Sequence, residues 1–173
     1  WDEALADVSA AGVARMLGAT EVLELFASYA ARDFRSIGHK AIYLANAWRT
    51  LQTIGWEHAE PVLRSLAYAM LNHNGEPNPS SNDLAPDRSW KVSQQLAAKI
   101  RGDWESGRLD SSANTELLTL LRTGTADEAA NCVADQLNGG VSPKSIYDAL
   151  HLASGELIMR QSGIVPLHAM TTT

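Results

Sequence analysis

Several things are scarce in this chain, and each scarcity excludes a class. It has one cysteine, Cys132, in 173 residues. That excludes a disulfide framework within one chain and any cysteine-based zinc site. Lys and Arg total 14 against 20 Asp and Glu, a net charge of -6. A chain this acidic has no basic face for a phosphate backbone, so nucleic acid is not an expected partner. Apolar runs are all too short for the ~18 residues a membrane helix needs, and no membrane partner is expected. There is no basic, apolar leader pattern at the start. Alternating β-branched runs and hairpin turn dipeptides are missing too. So are the glycine-rich phosphate loop, HExxH, GxSxG and the dinucleotide fingerprint.

What is present fits a soluble globular chain: 45% hydrophobic and 20% charged residues. The length suits one domain with a sizeable core. The reading is a single helical domain over 1–173. Because the chain opens on Trp1 and closes on three threonines, it reads further as a fragment, with the remainder of a larger chain as a partner.

Helical periodicity runs throughout. A first helix is expected from Trp1 to Leu17, with Gly18 as a left-handed C′ residue and Thr20 capping the next. Val22, Leu23, Leu25, Phe26 and Tyr29 form the second helix's apolar face. A turn near Asp33 leads to a stripe at Ile37, Ala41, Leu44, Trp48 and Leu51, ended by Gly55. Pro61 is tolerable in the first turn of a following helix, whose face is Val62, Leu66, Ala69 and His73. Residues 74–86 carry three prolines and a glycine and predict a surface loop, or a boundary between two helical halves.

Beyond it, Asp87 or Ser89 caps a helix bearing Leu96, Ile100 and Trp104. Ser111 or Ser112 starts another that Gly124 closes. Thr125 and Glu128 make a capping box, and that helix ends at Gly139–Gly140. Ser142–Pro143 opens a helix striped by Ile146, Ala149, Leu150, Ala153 and Leu157, with Gly163 after it and Pro166 opening a last one. The expected fold is all-α: a bundle of about seven or eight mostly antiparallel helices.

Candidate chemistry rests on histidine, the side chain suited to metal ligation and to proton transfer near neutral pH. His39, Tyr43 and Asn46 share one helix face, where Lys and Glu would be ordinary. Asp148 and His151, at i and i+3, can reach one metal, or the carboxylate can orient the ring. Glu-x-x-His is absent, which argues against a di-iron bundle. His168 follows Pro166 among apolar neighbours. His73 reads as a core histidine and His58 as a surface one. Cys132 reads as a structural thiol, since apolar surroundings raise its pKa. Trp48, Trp56, Trp90 and Trp104 read chiefly as core, with an aromatic pocket as the other reading.

The segments Ile37–Leu44 (with Gly38, His39, Ile42), Ile146–Leu157 (with Asp148, His151) and Leu167–Thr171 (with His168) resemble the questin oxidase-like family. There a GHxxIxL helix and a later HxxT element recur in an all-helical protein. The resemblance implies oxidative, Baeyer–Villiger-like cleavage of aromatic polyketides, with histidines around the pocket. His39, His168 and Thr171 are the positions it carries over; set against that family the chain is short.

The leading expectation is therefore an oxidoreductase-like domain acting on an aromatic small-molecule substrate. His39, His151 and His168 would be its catalytic residues and would converge on one cleft, on the order of 10 Å across. Those three with Asp148 would be the ligands of a metal, iron being the cofactor considered. The alternative is a non-catalytic helical scaffold or protein-interaction domain.

Overall fold

The computed structural model describes residues 3–32, 35, 37–72, 77 and 81–173. Among these there are nine α-helices, no β-strand and one isolated bridge, Arg108 to Val141. The all-α class holds. No helix is long and apolar enough to cross a membrane among the described residues. The chain divides into two compact units, the division falling between Asp87 and Arg88. Each has its own buried cluster.

The first unit contains α1 (Glu3–Met16), α2 (Ala19–Ala30), α3 (His39–Ile54), a 3-10 turn (Trp56–His58) and α4 (Ala59–Leu71). Its core joins Ala10, Val22, Phe26, Ala30, Leu51, Leu63, Leu66 and Met70. α1 packs on α4, α4 on α3 and α3 on α2. Arg64 reaches both carboxylate oxygens of Asp7 at 2.7 Å, and Arg15 pairs with Glu60 at 2.7 Å, so α1 is also clipped to α4 by charge. Pro61 lies in the first turn of α4 and Gly55 closes α3 with φ 102°, both as the residue types demand.

Other expectations need correction. Gly18 has φ -70° and caps the start of α2 instead of ending α1; its N–H donates to the Glu21 carboxylate at 2.8 Å, and Thr20 lies inside the helix. On α2 the buried residues are Val22, Phe26 and Ala30, a strict i, i+4, i+8 line. Leu25 and Tyr29 lie beside that line and are exposed. On α4 the buried face is Ala59, Leu63, Leu66, Ala67 and Met70, because α1 and α3 both press on it; Val62 and Ala69 are only partly buried, Val62 packing at the core's margin. Trp48 is half-buried, while Leu51, one turn on, is 5% exposed. None of Trp48, Trp56, Trp90 and Trp104 is fully buried. His73, Asp33 and most of 74–86 lie outside the described residues.

α5 (Ala85–Ala97) begins before Pro86, which therefore sits in its first turn and not in the preceding loop. Its Asp87 carboxylate accepts the Leu84 N–H at 2.9 Å and is buried against Arg35: Nε at 3.1 Å, Nη2 at 2.7 Å, with both side chains under 5% exposed. Arg35 also donates to the Pro77 carbonyl.

The second unit holds the rest of α5, a 3-10 turn (Trp104–Ser106), α6 (Ser111–Thr123), α7 (Ala126–Asn138), α8 (Pro143–Arg160) and α9 (Ile164–Thr172). Its centre is Leu117 and Ala149, both fully buried, with Leu137 and Ile146. α6 packs on α7 and α8, and Arg122 forks onto Glu156 to tie α6 to α8 (Nε to Oε2, 2.9 Å). Asp110, not Ser111 or Ser112, caps α6: its carboxylate accepts the N–H groups of Ser112 and Ala113, satisfying two orphan donors. Thr125 and Glu128 form the capping box, and Ser142–Pro143 opens α8. α8 ends at Arg160, so Gly163 stands before α9 and does not close α8. Leu157 is exposed. Gly107 is needed where two backbones meet, since a Cβ there would sit 2.5 Å from the Val141 carbonyl carbon.

Candidate functional site

His39 is the first residue of α3. The two residues before it are both left-handed: Ile37 at φ 51° and Gly38 at φ 84°. For glycine this conformation is free of strain. For a β-branched residue it is an outlier costing about 1–3 kcal/mol, and such strain gathers at functional positions. The His39 ring lies flat against Tyr43, centroids 5.9 Å apart and planes 10° from parallel. Tyr43 and Asn46 line a groove between α3 and α4, floored by Ala47, Val62, Leu66 and Ala69, with Ser65 as the third polar side chain. Its volume is about 490 Å³, within the range of small-molecule sites. The shared His39, Tyr43 and Asn46 face was legible in the spacing. Ser65, on the neighbouring helix, was not.

Elsewhere in the first unit, the space between α2, α3 and α4 beneath Trp48 and Trp56 is only about 10 Å³. That is room for at most one water, and the walls are apolar. The aromatic-pocket reading of these tryptophans finds no ligand-sized cavity there.

In the second unit the candidate residues are engaged separately. His151 is exposed on α8, its ring beside Tyr147 at 6.5 Å between centroids. Both Asp148 oxygens face Lys144, at 2.9 and 2.8 Å, an ordinary i, i+4 ion pair. The carboxylate thus orients a lysine and not the His151 ring. His168 is 9% exposed, and its Nδ1 lies 2.7 Å from the Ile164 carbonyl. A carbonyl only accepts, so Nδ1 carries the proton. The Thr171 hydroxyl donates to the Leu167 carbonyl at 3.1 Å. One histidine points to water and the other is tethered inside α9.

No group of three or more His, Cys, Asp or Glu side chains is disposed to hold a metal among the described residues. His39 belongs to the first unit and Asp148, His151 and His168 to the second, where Asp148 pairs with Lys144 and the His168 Nδ1 is held by its own helix.

A second groove, between α6 and α7, has a volume of about 570 Å³ and carries Glu116, Asp127, Asn131, Cys132, Asp135 and Gln136. Cys132 is partly buried and packs on the core of the unit. Burial, and then the charges of Glu116 and Asp135, push its thiol pKa upward, so it stays protonated and unreactive at neutral pH. Sequence reasoning assigned Glu128 to the capping box and overlooked this face. Its signal was the spacing of Asp127, Asn131 and Asp135, one side of a single helix.

Comparison with protein-family models, with curated proteins and with solved structures finds no match to this chain.

Proposed function

We propose that this chain is a non-catalytic helical binding module, a bundle of mostly antiparallel helices, whose recognition surface is the α3–α4 groove. The observation that supports the reading is the make-up of that groove. An apolar floor carries three spaced polar groups: the Tyr43 phenol, the Asn46 carboxamide and the Ser65 hydroxyl. A largely apolar concavity with a few polar groups that fix orientation is how small-molecule sites are built. The Tyr43 ring that lines it, itself stacked with His39, suits a flat aromatic ligand.

Amide NMR spectra of the full chain titrated with phenol, indole and 4-hydroxybenzoate test this. Shifts confined to Tyr43, Asn46, Ser65 and their neighbours are expected. Asn46→Leu and Ser65→Ala should each weaken binding about 2- to 10-fold, the worth of one neutral hydrogen bond. Shifts scattered over both units, or unaffected by either substitution, would refute it.

One observation favours a second reading, the oxidoreductase that the family resemblance suggests. The strained Ile37 lies two residues before His39, whose ring is stacked against Tyr43, a residue that lines the groove. In that reading His39 is a general base toward an aromatic substrate. Turnover of an aromatic ketone by wild type and not by His39→Gln would replace the binding module with the enzyme.

A further inference from the structure

Asn138 is the last residue of α7 and Gly139 is its C-cap, and both are exposed. An asparagine followed by glycine carries its own modification chemistry. The glycine backbone nitrogen attacks the side-chain carbonyl carbon, a C–N bond forms, and the side-chain nitrogen leaves as ammonia. Water then opens the cyclic imide to aspartate or to isoaspartate. Glycine favours the attack because it has no side chain to shield its nitrogen and gives the backbone the freedom that ring closure needs.

The fold restrains both reacting groups. The Gly139 N–H donates to the Asp135 carbonyl at 2.8 Å, which holds that nitrogen in the last turn of the helix. The Asn138 carboxamide clips the segment that follows α5. Its Nδ2 donates to the Lys99 carbonyl at 3.2 Å, and its Oδ1 accepts the Arg101 N–H at 2.9 Å. Both side-chain bonds are exposed and stand at a helix end, the part of a helix that frays most readily. We infer that Asn138 is a self-modification site gated by the last turn of α7: fraying frees the Gly139 nitrogen and the carboxamide together, and the folded chain deamidates there.

The product does not restore the clip. A carboxylate has no N–H for the Lys99 carbonyl, and it puts negative charge at the C-terminal end of α7, where the helix dipole opposes it. Isoaspartate also lengthens the backbone by one methylene, two residues before Gly140. The Gly140 carbonyl accepts the Arg108 N–H at 2.9 Å, and the Arg108 carbonyl accepts the Ser142 N–H at 2.7 Å. The change is thus passed to the bridge beside Asp110 and Ser142, the caps of α6 and α8. Water is the only co-reactant, so the site stands whether or not the α3–α4 groove binds an aromatic.

Peptide mapping by mass spectrometry on the full chain, held in mildly alkaline buffer, tests the inference. Conversion appears at Asn138 as the mass change from an amide to an acid. The native chain should convert at least about tenfold more slowly than the urea-unfolded chain, because the closed turn is its resting state. Its rate should stay nearly flat in sub-denaturing urea, because fraying one turn exposes little surface. In the modified fraction, purified by ion exchange, the Arg108 and Ser142 amides should exchange faster with solvent. Equal rates in native and unfolded chains would overturn the inference. So would a native rate that is absent or that climbs with urea as global unfolding does, and so would unchanged exchange in the modified fraction.

Discussion

The Arg35–Asp87 pair invites a quantitative test. Its side chains are 4% and 3% exposed, and the guanidinium meets both carboxylate oxygens. Removing one partner of a buried pair leaves the other charge uncompensated, typically costing about 3–5 kcal/mol. Asp87→Ala should therefore remove a large share of a stability that for most domains is only about 5–15 kcal/mol. For a unit the size of the first one, a loss of about 3 kcal/mol lowers the melting temperature by roughly 12 °C or more. Part of the effect belongs to the Leu84 N–H, which Asp87 also accepts. A double-mutant cycle separates the two. Asp87→Ala made in an Arg35→Met background reports the Leu84 part, and the difference from Asp87→Ala alone is the coupling. Urea denaturation followed by circular dichroism gives each corner. Arg35→Met with Asp87→Leu, which replaces the pair by apolar side chains, should recover much of the loss. A cost below about 1 kcal/mol for Asp87→Ala, the range of exposed pairs, would refute the claim that this pair is cut off from water.

Leu117 is fully buried at the centre of the second unit, so Leu117→Ala should cost about 3–5 kcal/mol in chemical denaturation; Trp48 is only half-buried, and Trp48→Ala should fall below the ~3–5 kcal/mol typical of a core aromatic. Hydrogen bonding from Arg122 holds the Glu156 carboxyl below the usual carboxylate range, against the opposing effect of burial and with help from the charges of Arg122 and Arg160. A pKa lower in the folded than in the unfolded chain, where it is about 4.3, stabilises above the unfolded value and is lost as pH falls through the folded one. Glu156→Gln should accordingly show a shallower loss of stability on acidification, the two proteins converging at the lowest pH; parallel acid-unfolding curves would show the ion pair contributes nothing.

The fold class and the starts of α4, α7 and α8 were legible because they depend on local chemistry. Pro61, Pro143, Ser142 and the Thr125–Glu128 box act within one turn, and each does in the structure what its residue type dictates. Buried faces were read less well. On α2 and α4 a helix contacting two neighbours turns its buried line by a residue or so, and single-helix periodicity does not contain that information. Caps failed where two adjacent residues could serve: Asp110 outcompetes Ser111 and Ser112 because a carboxylate accepts two amides at once. The Arg35–Asp87 pair joins positions 52 apart, beyond any periodic signal.

Several polar groups that the sequence offers as candidates are engaged in holding helices in the structure. Asp148 holds Lys144, Glu156 holds Arg122, and the His168 ring holds the Ile164 carbonyl. The Asn46 carboxamide and the Ser65 hydroxyl line the α3–α4 groove, and Gln136 Oε1 is buried without a hydrogen-bond partner. Unused hydrogen-bonding capacity is costly where water is excluded and uninformative where water is abundant. Gln136 Oε1, enclosed and unpaired, is therefore a costlier group to leave unmet than the exposed imidazole of His151, which water satisfies.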